Sequence, residues 1–552
     1  VNRGKAPRYY SPATQRDPVT GELILTVLSE GDEFLGYERW EDYGNYSTYL
    51  EGNITYDQRF GNHSVSALLL YNQRNYDDGD QVPYRTQGFA GRAAYTYADR
   101  YIAEFNFGYN GSENFAKGNR FGFFPSIAAG WIVSEEEFMR PVQNYINKLK
   151  LRASYGLAGN DRFYNDDGSQ KRFAYITTIG STDGYKWGNS NAFYEKGGLR
   201  EGDPGVESLT WETVKKANVG IELGLFKMAE LQVDFFHERR EDIFMQRKNI
   251  PSSAGFPSAP WANYGIVTNK GFDISLDLNK QINKDWFISA RASVTYAKNK
   301  IIEQDEDLGV LGTYRSSTGK PVGQIFGLVN DGLYTEADFE DVTTGKLKPG
   351  LPVPKFSDRV YPGDIKYLDL NGDNEITETD KTAIGGTVNP ELVYGFGINL
   401  SYKNIDFGAF FQGNGRTYRI IGENQKNFLP GSTIGAEGNI FTNASDAWTV
   451  DNPSQDVFYP RLHMGYNANN AQVSDWWLKD MSMLRLKNVE LGYSFSKNLI
   501  KKAAMEYARI FVRGTNLLQF SKFDLWDPEL NTSNGLKYPI MATYSIGLQV
   551  RF

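Results

Sequence analysis

Hydrophobic and polar residues alternate along many segments of this chain, and the last segment shows the pattern in its simplest form. In MATYSIGLQVRF, residues 541–552, an apolar side chain occupies every second position from Tyr544 to Phe552, with small or polar side chains between them. A period of two places successive side chains on opposite faces of a β-strand. The segment therefore predicts a strand with one apolar and one polar face.

The same alternation recurs along the chain and predicts fifteen strands. Two alternating runs meet at Lys403-Asn404, which predicts a hairpin with a two-residue turn. Other runs return after the short connections at 227–229 and 282–284. The predicted strands are 43–57, 63–74, 86–98, 100–112, 121–133, 148–160, 211–226, 230–245, 270–281, 285–300, 391–403, 404–416, 484–496, 506–520 and 540–552.

Short and long connections alternate between these predicted strands. The long ones are 161–210, 246–269, 301–390, 417–483 and 521–539. Outer-membrane barrels have short periplasmic turns and long extracellular loops, and a single-chain barrel has an even number of strands. The pattern therefore predicts an all-β, transmembrane antiparallel β-barrel in the outer membrane of a Gram-negative bacterium, with further strands outside this chain. The last strand follows a long loop, so we expect the carboxyl terminus on the periplasmic side.

Composition excludes several other classes of protein. No apolar run among the 552 residues approaches the roughly 18 that a membrane-spanning helix requires, so a helical membrane protein is excluded. The 35 Tyr, 35 Phe and 56 Gly favour strands and turns. With no Cys, disulfides and thiolate metal sites are excluded. A net charge of -8 disfavours binding to nucleic acid, which requires a basic surface.

From about Gly91 onward the sequence resembles the SusC family of TonB-dependent transporters. The most specific block joins GDIKYLDLNGDNEITETDKTAIGG at 363–386 to PELVYGFGINLSYKNIDFGAFFQG at 390–413. Similar segments lie at 91–115, 123–138, 149–160, 209–226, 269–276, 477–495 and 514–531. The resemblance implies a 22-stranded barrel with a plug in its lumen. Residues 1–552 would be the C-terminal part of that one barrel domain, and the plug and first strands would lie outside this sequence, in the same chain or in a separate one.

The same resemblance implies partners. A SusD-like lipoprotein lid would cover the outer face, and the TonB complex would drive import through an N-terminal segment not found here. The substrate would be an oligosaccharide or an oligopeptide, and membrane lipid would surround the strands.

The block at 363–386 also contains a candidate calcium loop, an EF-hand-like insertion expected on the extracellular side. Twelve residues, 369–380, place oxygen ligands at the first, third, fifth, seventh and twelfth positions of the EF-hand spacing. Asn374 stands where Gly is usual, although Asn tolerates the left-handed backbone of that turn. The alternative is a solvated turn rich in Asp and Asn. The candidate ligands are Asp369, Asn371, Asp373, Asp380 and the carbonyl oxygen of Glu375.

Catalytic chemistry is not predicted. The three histidines, His63, His237 and His463, form no motif with metal-ligand spacing, and the G-x-S-x-G nucleophile motif is absent. Four tryptophans in the long loops are candidate substrate contacts, because aromatic faces can stack on sugar rings or pack against a lid protein. The alternative for each is a core position within a loop. They are Trp187, Trp261, Trp476 and Trp477.

The leading functional hypothesis is active, TonB-dependent import of nutrient oligomers, with oligosaccharides placed ahead of oligopeptides as the substrate. Capture by the lid, sealing of a cavity and displacement of the plug require no covalent chemistry from this chain. One alternative is a barrel hydrolase, which would need a nucleophile and a base. Another is a passive channel or adhesin, which would have neither plug nor lid.

Overall fold

The protein is described by a computed structural model of the 552-residue chain. The structure describes residues 2–4, 8–10, 16–25, 27–29, 36–38, 44–77, 79, 82–165, 167–189, 192–256, 258–422, 428–431, 442–501 and 504–552. No helix among these residues is long and apolar enough to cross a membrane.

Fifteen strands form one large sheet, which confirms the predicted all-β class and the predicted number of strands. They are β1 Tyr46–Phe60, β2 His63–Asp77, β3 Tyr84–Tyr97, β4 Tyr101–Ser112, β5 Phe121–Ile132, β6 Ile146–Asn160, β7 Glu212–Leu225, β8 Ala229–Gln246, β9 Trp261–Gln281, β10 Trp286–Glu303, β11 Leu392–Tyr402, β12 Ile405–Gly415, β13 Met483–Ser494, β14 Tyr507–Ser521 and β15 Thr543–Arg551.

Each strand of the sheet lies beside its neighbours in sequence. The registered pairs from β8 to β15 are all antiparallel, as hairpin connections require. Between β11 and β12 the predicted two-residue turn is present, and Lys403 has a φ of 52°, in the left-handed region that such tight turns use.

Two departures from the predicted strands lie at the start of β9 and in the connection between β6 and β7. β9 begins at Trp261, nine residues before the predicted start at 270, because its pairing with β8 continues through a register shift at Ile243. The rings of Phe244 and Trp261 stack there with centroids 4.6 Å apart. The predicted connection at 161–210 also contains a hairpin of its own, Ile179–Asn189 with Ala192–Glu201.

The long connections contain short strands and helices. Short antiparallel pairs join Gln324–Gly327 to Thr382–Thr387, Asn330–Leu333 to Ile365–Tyr367, Phe339–Asp341 to Lys346–Leu347, Phe163–Tyr164 to Gln170–Lys171 and Tyr418–Ile420 to Leu478–Asp480, while Val353–Pro354 pairs in parallel with Glu375–Ile376. One α-helical turn, α1, spans Lys497–Ile500. The 3-10 turns are Val133–Glu135, Glu137–Val142, Ser252–Ala254, Glu336–Asp338, Glu378–Asp380, Thr442–Ser445 and Pro528–Leu530.

The chain divides into two compact units. The first comprises Val1–Gly52 and Tyr71–Gln87, and within it Tyr9–Tyr10 pairs with Val27–Ser29 and Asn2–Gly4 pairs with Gly36–Glu38. The second comprises Asn53–Leu70 and Gly88–Phe552, and it contains most of the sheet together with the long connections.

Buried apolar side chains of the second unit concentrate in the connections. The largest cluster includes Leu328, Ile365, Ile376, Tyr459 and Trp477, all from segments that link sheet strands. A smaller aromatic cluster around Phe115, Phe163 and Trp211 also lies in and beside the connections. The hydrophobic core of this chain is therefore built by its long loops, whereas much of the sheet exposes apolar side chains.

Candidate functional site

The registered pairs divide the side chains of the sheet between two faces of different chemistry. Leu491 of β13 lies opposite Val512 of β14, which lies opposite Ile546 of β15, and all three are exposed, Ile546 by 77%. On the same face Val219 of β7 lies opposite Phe235 of β8, Ile221 follows two residues later along β7, and all three are exposed. An exposed apolar surface of this extent marks contact with a membrane or a large partner.

The opposite face is polar and carries ion pairs that cross between strands. Glu490 of β13 accepts hydrogen bonds from Arg509 at 2.6 Å and from Arg513 at 2.6 Å, and Arg509 also pairs with Asp406 of β12. Asp277 of β9 accepts a hydrogen bond from the guanidinium of Arg291 on β10. These contacts neutralise the charges of the face pair by pair.

A further ion pair on this face spans three strands. Arg152 of β6 donates a hydrogen bond to Asp234 of β8 at 2.6 Å, above Gly220 on the intervening strand β7. A Cβ atom on Gly220 would lie 2.5 Å from Asp234 Oδ1 and 2.6 Å from Arg152 Nε. The glycine therefore provides the space in which the two charged side chains meet.

Two cavities open on the polar face. One of about 710 Å³ lies near the Lys403-Asn404 turn, which we call the inner cavity, and its walls include Asp277, Arg291, Asn399 and Arg513. The other, of about 580 Å³, lies where the long connections leave the sheet, and we call it the outer cavity. Both volumes lie in the range of about 300–1,000 Å³ that ligand pockets commonly have.

The outer cavity combines charged, amide and apolar groups. Lys216 forms an ion pair with Glu238 at 3.0 Å across β7 and β8. Asn269 lies in its wall, as does Asn299, whose Oδ1 accepts a hydrogen bond from the backbone of Val322 at 2.6 Å. The remaining wall includes the apolar residues Val214, Met245, Val267, Ile301 and Pro321. Such a surface can donate and accept hydrogen bonds and also contact apolar parts of a ligand.

The predicted calcium loop adopts a compact turn within the connection between β10 and β11. Asp369 accepts hydrogen bonds from the backbone of Gly372 and Asn374, at 2.7 and 2.8 Å. Asn374 has a φ of 66°, so this residue does adopt the left-handed backbone that the turn needs. Ile376, the residue after the predicted carbonyl ligand, is fully buried.

The last candidate ligand of this loop is a buried carboxylate. Asp380 is 0% exposed and accepts hydrogen bonds from the backbone of Leu370 and Thr377, at 2.9 and 2.8 Å. Within the described ranges it has no cationic side chain within 4 Å, whereas Glu375 forms an ion pair with Lys355 at 2.8 Å. No group of three or more His, Asp or Glu side chains in the part of the chain that the structure describes is arranged to hold a metal ion.

The four candidate tryptophans occupy different environments. Trp477 is 0% exposed within the main loop core, and Trp476 packs beside it with its indole N–H donating to the carbonyl of Phe458. Trp261 is half-buried against Phe244. Trp187 is 46% exposed on the Ile179–Glu201 hairpin, so among the four its ring is the most accessible to a ligand.

The three histidines have different surroundings. His63 forms a hydrogen bond with Tyr95, and His237 is exposed on β8. His463 contacts Asp364 at 2.5 Å, and this fully buried carboxylate also accepts a hydrogen bond from Asn470. The pair ties two segments of the loop core together.

Sequence reasoning missed the two cavities and the ion pairs of the polar face. A signal for the ion pairs was present, because Lys148, Lys150 and Arg152 alternate along β6 opposite Glu222 on β7. Charges at every second position of an otherwise apolar strand indicate a charged face. The partners across strands became evident from the register.

Comparisons with known proteins find sequence relatives named as TonB-dependent receptors. No protein-family model matches the chain. TonB-dependent receptor P3 of Formosa agariphila is 27% identical over 587 residues, covering 96% of this chain and 55% of that protein. TonB-dependent receptor SusC of Bacteroides thetaiotaomicron is 24% identical over 489 residues, covering 86% of this chain and 45% of that protein.

Solved structures match the fold. The RagAB peptide transporter superposes with a TM-score of 0.68 and 21% sequence identity, covering 92% of this chain and 55% of that chain. This chain thus spans about half the length of the proteins that it matches. The relatives are named as receptors, and the solved structure is described as a transporter.

Proposed function

We propose that this chain, which is similar in sequence to TonB-dependent receptors and in fold to the RagAB peptide transporter, forms part of the wall of an outer-membrane importer. The observation that carries the proposal is the division of one large sheet into an exposed apolar face and a polar, ion-paired face with two cavities. In an outer-membrane barrel the apolar face contacts lipid and the polar face lines the lumen.

In this proposal the chain binds and encloses its substrate and performs no covalent step. Substrate would enter from the side of the long connections, contact the outer cavity and leave past the inner cavity on the periplasmic side. The same proposal includes a plug inside the lumen, a SusD-like lipoprotein lid over the outer face, and energy supplied by the TonB complex. The carboxyl terminus would then be periplasmic, since β15 runs away from a long connection.

We favour an oligosaccharide as the substrate, with an oligopeptide as the second candidate. The exposed ring of Trp187 and the amide groups of Asn269 and Asn299 support a ligand rich in hydroxyl groups. The second candidate is supported by the similarity to RagAB, which is described as a peptide transporter. The ion pair of Lys216 and Glu238 could bind either class of substrate, because oligosaccharides and oligopeptides both donate and accept hydrogen bonds.

Isothermal titration of the full-length protein with its lipoprotein partner would test this proposal. Neutral oligosaccharides and peptides of matched length are the two ligand classes. The double variant Lys216→Met, Glu238→Gln should weaken binding about tenfold, since it removes two charged hydrogen-bonding groups from the outer cavity. As a control, Asp277→Asn with Arg291→Met removes an ion pair from the inner cavity and should retain most of the affinity.

The outcome of this titration distinguishes the candidates. Binding of peptides alone would replace the oligosaccharide proposal with the second candidate. Binding of neither class, together with uptake that continues in cells lacking TonB, would contradict active import and favour a passive channel.

We also propose that the 369–380 loop holds a calcium ion. The support is the buried carboxylate of Asp380, which has no cationic partner among the described residues, together with the left-handed backbone at Asn374. Asp369, Asn371, Asp373, Asp380 and the carbonyl oxygen of Glu375 would supply its hard oxygen ligands. The ion would neutralise the acidic side chains and stabilise the turn.

Calcium removal would test this part of the proposal. Adding a chelator should lower the denaturation temperature of the full-length protein, and adding back Ca²⁺ should restore it. Asp380→Asn should abolish the calcium response, whereas Asp341→Asn, in an exposed turn elsewhere in the same connection, should retain it. If neither the chelator nor Ca²⁺ changes the denaturation temperature of the unmodified protein, the result would favour a solvated turn without calcium.

A further inference from the structure

The described lining of the outer cavity includes five charged side chains, of which two have no partner. Lys216 and Glu238 form an ion pair with each other at 3.0 Å, and Glu391 pairs at 3.3 Å with an arginine outside the cavity. The other two are Arg240 of β8 and Glu303 of β10, and both are exposed. Within the described ranges, neither has an oppositely charged group within 4 Å.

The register of the strands explains why Arg240 has no partner. On the polar face it lies in one row with Val214 of β7, Val267 of β9 and Ile301 of β10, whose side chains cannot accept a hydrogen bond. Glu238, two residues earlier on the same face, is already held in its ion pair across β7. The guanidinium therefore lies among apolar side chains, with no carboxylate of the sheet free to pair with it in its own row or in the row before.

Glu303 lies on the same face but at a distance from Arg240. It follows Ile301 by two residues along β10, and β9 separates β10 from β8. With strands about 4.8 Å apart and a rise of about 3.4 Å per residue, the Cα atoms of Arg240 and Glu303 are about 12 Å apart. A ligand that fills this space takes water away from both charged groups. Because an unpaired charge without water is costly, such a ligand must supply a partner for each.

The two unpaired groups define the chemistry of that ligand. A planar guanidinium binds an oxyanion, such as a carboxylate or a sulfate, through two parallel N–H donors. The carboxylate of Glu303 accepts hydrogen bonds, which hydroxyl groups can donate. In the row before Arg240, Asn269 lies opposite Asn299, and the amide groups of these two residues add further donors and acceptors. A ligand with one anionic group and several hydroxyl groups satisfies all of them.

We propose that the outer cavity selects an acidic oligosaccharide, with a carboxylate or sulfate group of the sugar bound to Arg240 and sugar hydroxyl groups bound to Glu303. The proposal rests on the proposed import of oligosaccharides through this cavity and adds the charge of the ligand. A neutral oligosaccharide would displace water from Arg240 without providing an anion, so it should bind more weakly. An oligopeptide that carries both a carboxylate and an ammonium group is the competing occupant.

Binding of short uronic acid oligosaccharides to the full-length protein with its lipoprotein partner would test the proposal. The matched neutral ligand is the same sample after chemical reduction, which converts each carboxylate to a primary alcohol and leaves the linkages unchanged. Isothermal titration should show about thirtyfold tighter binding of the acidic sample, the effect of one hydrogen bond to a charged group. A parallel titration with sulfated neutral oligosaccharides distinguishes sulfate from carboxylate as the bound group.

Two neighbouring arginines of β8 provide a test variant and its control. Arg240→Met should lower the affinity for acidic oligosaccharides about thirtyfold and leave the affinity for the reduced sample unchanged. Arg239→Met is the control, because successive side chains of a strand lie on opposite faces and Arg239 pairs with Glu241 at 2.6 Å. A preference for acidic ligands that survives in Arg240→Met, or that disappears equally in both variants, would overturn the proposal.

The variant Glu303→Gln distinguishes the sugar from the peptide. An amide still accepts a hydrogen bond from a hydroxyl group, so binding of acidic oligosaccharides should weaken only about threefold, whereas a peptide ammonium group would lose an ion pair and about thirtyfold in affinity. Zwitterionic peptides that bind in preference to every oligosaccharide, and that depend on both Arg240 and Glu303, would overturn the proposal.

Failure of this proposal is distinguishable from failure of the proposed function. Equal affinity for the acidic, sulfated and reduced samples would overturn the selection of an acidic ligand and leave import of oligosaccharides standing. Binding of no oligosaccharide and no peptide, together with uptake that does not require TonB, would contradict both.

Discussion

At the scale of single residues, the polar face depends on small side chains that leave space for charged ones. Arg152 and Asp234 come from strands on either side of β7 and meet above Gly220. Asp234 is buried, so this contact compensates for the loss of water around its carboxylate. A methyl group at the glycine would separate the pair.

We therefore expect Gly220→Ala to destabilise the folded protein. The new Cβ would contact both Asp234 Oδ1 and Arg152 Nε at less than 3.0 Å, and the displaced ion pair should cost about 2–3 kcal/mol of unfolding free energy. Urea denaturation in detergent micelles measures this change. Gly130→Ala on β5 is the control, because its Cβ would have no neighbour nearer than 3.5 Å. Equal stability of the two variants would show that the pair tolerates the extra carbon.

At the scale of elements, the sheet and its connections follow from the sequence to different degrees. All fifteen sheet strands could be predicted because each has several alternating positions, such as those from Tyr544 to Phe552. A two-residue strand such as Val353–Pro354 has no period, and its pairing with Glu375–Ile376 depends on the burial of Ile376 by distant segments. The burial of Trp477 and the exposure of Trp187 also depend on how segments distant in sequence pack. The sequence therefore could not rank the candidate tryptophans.

Two adjacent carboxylates follow β10. Asp305 joins its connection to the one between β8 and β9, and Glu306 bonds to later residues of its own connection. Burial alone would raise the pKa of each carboxyl, but hydrogen bonds to the charged forms outweigh it and lower the pKa of each to about 2. The donors to Asp305 are Arg247, Asn249 and the backbone of Lys248, and those to Glu306 are Ser316, Ser317 and Thr318.

These two pKa values predict acid sensitivity of the connections. Because each folded-state pKa lies below its ordinary value of 3.8 or 4.5, the stabilisation is complete above about pH 5 and is lost as the pH falls towards 2. Each shift corresponds to about 2–3 kcal/mol. Asp305→Asn should reduce the dependence of unfolding free energy on pH between 5 and 2. Asp341→Asn, in an exposed turn, is the control, and an unchanged pH profile for Asp305→Asn would contradict the assignment.

The connection between β14 and β15 should depend on one buried arginine of β13. Arg485 is 2% exposed and pairs with Asp527 and with Glu529, the latter at 2.9 Å. Arg485→Met should leave the carboxylate of Asp527 without its partner and weaken the attachment of this connection by about 3 kcal/mol.

Limited proteolysis measures the attachment, with faster cleavage expected within 522–542 for Arg485→Met. The control is Arg416→Met, which removes an exposed ion pair with Glu391 at 3.3 Å and should leave the cleavage rate unchanged. Equal cleavage of both variants and the unmodified protein would show that other contacts of the connection suffice.

At the scale of the whole molecule, one alternation of side chains produces both membrane contact and a polar interior surface. Each strand contributes to the two faces in turn, so a change of one position along a strand exchanges one environment for the other. On β10, Val294 lies opposite Ile274 and Tyr394 on the apolar face, and Thr295 lies opposite Asp273 on the polar face. These neighbours therefore allow the assignment of the two faces to be tested within a single strand.

We expect Val294→Arg to impair membrane assembly and Thr295→Arg to permit it. An arginine at the middle of a lipid-facing strand costs about 2–4 kcal/mol, whereas an arginine beside Asp273 would gain a carboxylate partner, since Thr295 already donates a hydrogen bond to that group at 2.7 Å. The fraction of protein that folds into lipid vesicles, measured by its resistance to added protease, reports the difference. Equal folding of the two variants, or impairment by Thr295→Arg alone, would mean that the apolar face does not contact lipid, and the membrane assignment would then fail.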